Sequence, residues 1–128
     1  MLSGRAVGGA MIDRHLVVLQ AAQFLRDRSA ERVRIGEVSR AVGVSERTLR
    51  NAFHQEHGLS PKQYELRERL HAARQALCDI TAVADTVTDV ASRHGFFELG
   101  RFASRYKHTF GESPSETLKA RKRRAVAG

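Results

Sequence analysis

Three groups of side chains in this sequence have types and spacings that could do chemistry. Arg47, Arg50 and Asn51 stand close together in the chain; a guanidinium can hold the O6 and N7 of guanine through two hydrogen bonds, and an asparagine amide can do the same on adenine. Basic residues dominate positions 119–124, Lys119-Ala120-Arg121-Lys122-Arg123-Arg124. That run could hold phosphate without sequence preference, or serve as a disordered, solubilising end. His54 and His57 lie three apart, a spacing that metal sites use, yet no cysteine or acidic cluster completes a structural zinc set. No metal and no cofactor are therefore assigned. His15, His71, His94 and His108 are dispersed and suit hydrogen bonding or phosphate contact. With no phosphate-cradling glycine loop and no nucleophile elbow, catalytic residues are not assigned and an enzyme reading is weak.

Composition narrows the partner. The chain has 128 residues, with 22 lysines and arginines against 14 acidic residues, for a formal charge of +8. Its pI is near 10.7, which favours a polyanion, although charge alone does not decide between nucleic acid and simple solubility. This length fits one small domain or two small lobes sharing a helix. Cys78 is the sole cysteine, so no internal disulfide can form, and a packing role in a reducing cytoplasm is expected. Residues 1–10 lack the apolar stretch of a signal peptide, and no run approaches a membrane span. A soluble, cytoplasmic protein with no membrane partner is the expectation.

The elements that must position these groups emerge from a repeat. Gly58-Leu59-Ser60-Pro61 recurs as Gly111-Glu112-Ser113-Pro114. A shift of 53 positions superposes Leu49 on Phe102, Phe53 on Tyr106 and Pro61 on Pro114. Upstream, a shift of 52 superposes Ile35 on Val87, Val38 on Val90, Ser39 on Ala91 and Gly43 on Gly95, so the second copy has one extra residue in its turn, around Phe97. Each copy reads as a short helix, a glycine able to take positive φ, and a second helix with its own apolar stripe. In the first, Ser39 allows a close crossing, Ser45 can cap the second helix, and Leu49 and Phe53 anchor it. In the second, Phe102, Tyr106 and Phe110 are the anchors, Phe96 adds to the core, and Glu98 or a neighbour must cap.

Three further helices complete an all-α fold of about seven helices, in which two helix-turn-helix subdomains are joined by a long connector. A first helix over about residues 12–28 should pack through Ile12, Leu16, Leu19 and Ala22. The connector, about 61–78, opens at Pro61 and carries the stripe Leu66, Leu70, Ala73 and Leu77. A short helix from Ser115 to about Arg121 closes the chain. The expected division is a flexible segment at 1–11, the domain at 12–121 with helix-turn-helix units at about 35–57 and 86–110, and a flexible basic tail at 122–128.

Several of these segments together resemble one family. Gly58-Leu59-Ser60-Pro61-Lys62-Gln63-Tyr64 follows the first unit, Arg69-Leu70-His71-Ala72-Ala73-Arg74-Gln75-Ala76-Leu77 forms the connector, Gly95-Phe96 opens the second turn, and the segment from Phe102 to Pro114 closes it. Over about residues 12–121 the chain resembles the DNA-binding domain of the AraC/XylS family of bacterial transcription regulators. The resemblance implies two recognition helices on one side of the domain, entering successive major-groove segments of double-stranded DNA, whose helical turn is about 34 Å. It also places Ser45, Glu46, Arg47, Arg50, Asn51 and His54 at the first contact surface, with Asn51 nearest the buried edge; the alternative for the polar row Arg47, Arg50 and Asn51 is a solvated helix face. At the second it places Leu99, Gly100, Arg101, Ser104, Arg105 and Lys107. That second face departs from a polar reading surface. Leu99 and Ala103 could touch thymine methyl groups, or Leu99 could be a core residue, while Arg101, Arg105 and Lys107 could grip phosphate.

The expectation is a sequence-specific DNA-binding transcription regulator, with activation the commoner outcome implied by the family. RNA polymerase is a further candidate partner, and a separate sensor or dimerisation domain is a feature that such regulators commonly carry. Two alternatives remain: a non-specific architectural DNA binder, favoured by the basic run and the plain second face, and a module that docks a protein through the same helices.

Overall fold

A computed structural model of the chain describes residues 13–28, 33–79 and 85–127. Those residues form seven helices and no strand: α1 (Arg14–Asp27), α2 (Ile35–Val42), α3 (Glu46–His57), α4 (Pro61–Cys78), α5 (Val87–Arg93), α6 (Leu99–Phe110) and α7 (Pro114–Ala127). The N-terminal segment expected at 1–11, Ile12 and Gly128 lie outside the described residues. Two compact units divide between Leu66 and Arg67, within α4, so the connector helix runs from one unit into the other.

In the first unit the geometry is set at the turn between α2 and α3. Gly43 takes φ 87°, a left-handed conformation that a β-carbon disfavours, and its amide closes on the Ser39 carbonyl at 2.8 Å. Two residues later the Ser45 hydroxyl accepts the Thr48 amide at 3.0 Å and starts α3. Buried Ser39 donates its own hydroxyl to the Gly36 carbonyl at 3.0 Å, so this small polar residue lies in the interior without an orphaned group. Around this turn Val17, Val18, Leu25, Val38, Leu49 and Phe53 form the core. Tyr64 of α4 adds an edge-on contact with the Phe53 ring at 5.4 Å between centroids.

The buried face of α1 differs from the one expected. Val17, Val18, Ala21, Ala22 and Leu25 face inward, whereas Leu16 and Leu19 are exposed; among the described residues of the expected stripe, Ala22 alone is buried. The helix is apolar almost continuously from Leu16 to Leu19, so a 3.6-residue period fits two faces nearly as well. Contacts at its N-terminal end favour the observed rotation: Arg14 donates to the Gln55 side chain at 2.6 Å, and His15 meets Glu56 at 3.2 Å.

In the second unit the Thr86 hydroxyl accepts the Asp89 amide and the Asp89 carboxylate accepts the Thr86 amide, each at 3.1 Å. This capping box starts α5. After the turn, buried Phe96 meets Phe102 at 4.7 Å, and a line of rings continues through Tyr106 to Phe110. The Arg69 guanidinium lies 4.6 Å over Phe96 and donates to the Gly95 carbonyl at 3.2 Å. Leu70, Ala73 and Leu77 of α4 are buried as expected, and Leu66 is half-buried. The Tyr106 hydroxyl donates to Thr117 at 2.7 Å, and burial raises its pKa above the usual tyrosine value.

The closing helix is longer than its sequence indicates. α7 continues to Ala127, past the expected stop near Arg121, and includes most of the stretch read as a loose tail. Arg121 is only 4% exposed. It donates to the Asp79 carbonyl at 3.4 Å, and Arg124 donates to the Cys78 carbonyl at 3.0 Å. Both cations thus satisfy the C-terminal end of α4, where carbonyls lack helical partners and the helix dipole is negative. Lys122 and Arg123 remain exposed.

The recurring Ser-Pro pair marks two further capping boxes. The Ser60 hydroxyl accepts the Gln63 amide at 3.1 Å while the Gln63 side chain accepts the Ser60 amide at 2.9 Å. Ser113 and Glu116 repeat this at 3.1 and 2.7 Å, with proline at the first helical position in both.

This packing leads to two predictions. Leu49 and Phe102, at 0% and 1% exposure, are the central anchors of α3 and α6, so Leu49→Ala or Phe102→Ala should lower stability by about 2–5 kcal/mol in denaturant titrations. The second concerns acid. Hydrogen bonds from Thr86 and Ser113 lower the pKa of Asp89 and Glu116 respectively. The unfolded chain therefore binds protons more readily at these sites; their contribution is present above the ordinary carboxylate range and is lost as pH falls below about 4. Thermal melts should show a shallower acid limb in the Asp89→Asn/Glu116→Gln double variant than in the parent.

Candidate nucleic-acid interface

Burial of one face of α3 decides what its opposite face offers. Leu49, Ala52 and Phe53 are inside, which leaves Glu46, Arg47, Arg50, Asn51 and His54 exposed along the other side of the same helix. Asn51, whose angle is nearest the buried edge, is among the exposed residues. Arg50 lies 3.3 Å from Glu46 one turn earlier. An exposed pair at this spacing contributes roughly 0.3–0.5 kcal/mol, so little is lost when Arg50 turns to another acceptor. The second Glu46 oxygen closes on Gly36 of α2, where an added β-carbon would stand 3.1 Å away. The Ser45 hydroxyl is engaged in the cap, accepting the Thr48 amide and donating to the Thr48 hydroxyl at 3.0 Å. His57 does not join His54 on the outer face; its ring lies 4.4 Å from Tyr64.

The second unit builds a different surface by the same means. With Phe102 and Tyr106 buried, α6 exposes Leu99, Gly100, Arg101, Ser104, Arg105 and Lys107, with Ala103 half-buried. Leu99 is 43% exposed, which removes the reading of it as a core residue. Of the expected caps, Glu98 or a neighbour, Glu98 occupies the N-cap position but makes no capping hydrogen bond through its side chain. Its carboxylate instead approaches Arg101 at 3.7 Å. Phe97, marked in the sequence only as the place of the extra residue in the second turn and not as a contact residue, is 69% exposed beside the start of α6.

Each unit is therefore a short helix, a glycine turn and a second helix held by an apolar core with its outer face exposed, which defines a double helix-turn-helix protein. The helix-turn-helix domain family matches residues 38–120. XylDLEGF operon transcriptional activator 3 of Pseudomonas putida is 36% identical over 103 residues, covering 80% of this chain and 31% of the activator. Activator 2 of the same organism is 31% identical over 107 residues, covering 84% of this chain and 68% of that protein. Among solved structures, a probable AraC family transcriptional regulator from Rhodopseudomonas palustris superposes with a TM-score of 0.70 at 35% identity, covering 83% of this chain and 97% of that one. The chain belongs to the AraC/XylS family of transcription regulators and contains its DNA-binding helix-turn-helix domain. It spans about a third of the length of the first of these activators.

The engagement of Ser45 yields a test of its part in the site. Ser45→Ala should destabilise the fold by about 1 kcal/mol through loss of the cap, and its DNA affinity measured well below the melting temperature should change little. A large affinity loss with unchanged stability would assign Ser45 to DNA instead.

Proposed function

We propose that this chain is the DNA-reading portion of a transcription activator, and that its first unit supplies most of the base recognition. The observation that carries this reading is the exposed row on α3, where Arg47, Arg50 and Asn51 stand on a helix whose rotation is fixed by buried Leu49 and Phe53. These are the side chains that pair bidentately with guanine and adenine edges. Ser45, Glu46 and His54 border the row. On α6, Arg101, Arg105 and Lys107 are exposed cations that suit phosphate, which positions a helix without specifying sequence. The second unit thus anchors, while Leu99, Gly100 and Ser104 offer neutral contact. Each unit inserts its recognition helix into one major-groove segment of double-stranded DNA.

Activation follows from this reading if the bound domain also touches RNA polymerase, and the names of the matched activators support that assignment. The 31% coverage of activator 3 supports work beside a separate sensor or dimerisation domain. The protein acts in the cytoplasm and is not an enzyme. Among the described residues no helix is long and apolar enough to cross a membrane.

Selection from a random DNA library, followed by titration at several salt concentrations, examines the proposal. Affinity should fall steeply with salt because phosphate contacts release counterions. Arg47→Ala and Arg50→Ala should each lose about 1–3 kcal/mol on the selected site and relax one or two adjacent base positions. Arg101→Ala and Lys107→Ala should weaken selected and random DNA by comparable factors. A selected sequence that changes with Arg101 or Lys107 but not with Arg47 or Arg50 would reverse the assignment of the units.

A further inference from the structure

Two adjacent phenylalanines in the second unit have opposite fates. Phe96 is 7% exposed and stacks on Phe102, whereas Phe97 is 69% exposed. Singly exposed apolar residues are ordinary, so the placement of Phe97 carries more weight than its exposure. It directly precedes α6, separated from Leu99 by Glu98, whose backbone is extended. Leu99, itself 43% exposed, is the first residue of the helix, and Ala103 lies one turn further along it. In a helix-turn-helix unit the N-terminal residues of the second helix are those that meet base edges.

Gly100 supplies an independent observation. Its backbone is helical, it is not one of the positive-φ glycines, and a β-carbon added there would meet nothing within 4 Å. Neither conformation nor internal packing calls for glycine, which is among the least favourable helix residues. The missing methyl leaves bare backbone beside exposed Leu99 and half-buried Ala103, where a flat surface can approach closely. Exposed Arg101, Arg105 and Lys107 give the same helix a positive charge, which suits the phosphates flanking a major groove.

We infer that Phe97, Leu99 and Ala103, with clearance provided by Gly100, form an apolar reading edge that recognises thymine through its C5-methyl group in the major groove. This rests on the DNA-reading function proposed above and adds Phe97 as a specificity-determining residue. Thymine alone among the four DNA bases presents a methyl there. Recognition of it by apolar contact leaves no hydrogen-bonding group unpaired when the base changes, so discrimination is modest at each position. It also lacks the counterion release that accompanies phosphate contacts.

The test uses the full chain and the duplex selected from the random library. Each thymine is replaced in turn by deoxyuridine, which deletes only the methyl. Affinity of the parent should fall about threefold to fourfold at one or two positions, the value of one buried methyl. Phe97→Ala or Leu99→Ala should bind the thymine and deoxyuridine forms of at least one such position equally, with melting temperatures close to that of the parent. Gly100→Ala should melt at the same or a higher temperature yet bind the selected duplex more weakly. If the parent binds every deoxyuridine duplex as it binds thymine, or if the Phe97 and Leu99 variants retain the full methyl effect, the inference is overturned. So too if the variants keep parental affinity throughout, which would turn the strip towards a protein partner. Failure of the parent to select any sequence would instead remove the DNA-reading function itself, and this inference with it.

Discussion

A helix can present a defined outer face only if its inner face is held, because successive side chains are offset by about 100° around the axis. In α3 that hold is Leu49 and Phe53, and in α6 it is Phe102 and Tyr106, all essentially excluded from solvent. Large side chains anchored in a close-packed interior leave little rotational freedom. The positions of Arg47, Arg50 and Asn51 on one helix, and of Leu99, Gly100 and Arg101 on the other, are consequences of those buried contacts. A weaker anchor would blur the outer face before it unfolded the protein.

Burial fixes rotation but not where a helix begins, and here the chain uses polar backbone chemistry. Ser45, Ser60, Thr86 and Ser113 each accept the amide three residues on, and in the last three the side chain at that later position returns the bond. Glycines in the left-handed region end α2, α3 and α6. Start and stop signals at both ends limit sliding of each helix past its neighbours, so the side chains that reach outward keep their height as well as their angle. The starts of α2 and α6 differ from these, since neither Arg34 nor Glu98 gives a side-chain cap; α6 also lacks the returning bond that Glu37 makes to the Arg34 amide. The first turn of α6 carries Leu99, Gly100 and Arg101 without that constraint.

The core of the fold is legible in the sequence because its signals are local and repeated. The 52- and 53-residue shifts align glycine turns and apolar anchors, and buried Val38, Leu49, Phe53, Val90, Phe102 and Tyr106 stand where the repeat places them. The face of α1 is not legible, because Leu16, Val17, Val18 and Leu19 are all apolar and only tertiary contacts choose between rotations. Composition hides the length of α7: Arg121 and Arg124 read as free phosphate ligands, whereas in the fold the end of α4 supplies them with carbonyl acceptors. On the candidate site, helix geometry suffices to expose the polar row of α3, but the exposure of Phe97 does not follow from a doubled aromatic whose first member is buried.

Under the proposed function, the two exposed faces place different physical demands on DNA. On α3, arginine and asparagine can form directional hydrogen bonds, and a wrong base leaves a donor or acceptor unpaired in a partly desolvated groove, a penalty of about 1–3 kcal/mol. On α6, the cations suit any phosphate, while Phe97 and Leu99 can distinguish bases mainly through shape and methyl contact. The two units keep apolar anchors but differ in the character of their faces: Leu49 and Phe53 correspond to Phe102 and Tyr106 in the cores, whereas Arg47 corresponds to Gly100 and Arg50 to Ala103 on the faces. Because the anchors of each helix are separate from its exposed residues, such exchange of polar for apolar contact leaves the helix in place. A module built this way can combine a strict reader with a tolerant one, so variation in target sites should be accommodated more readily beneath the second unit than beneath the first.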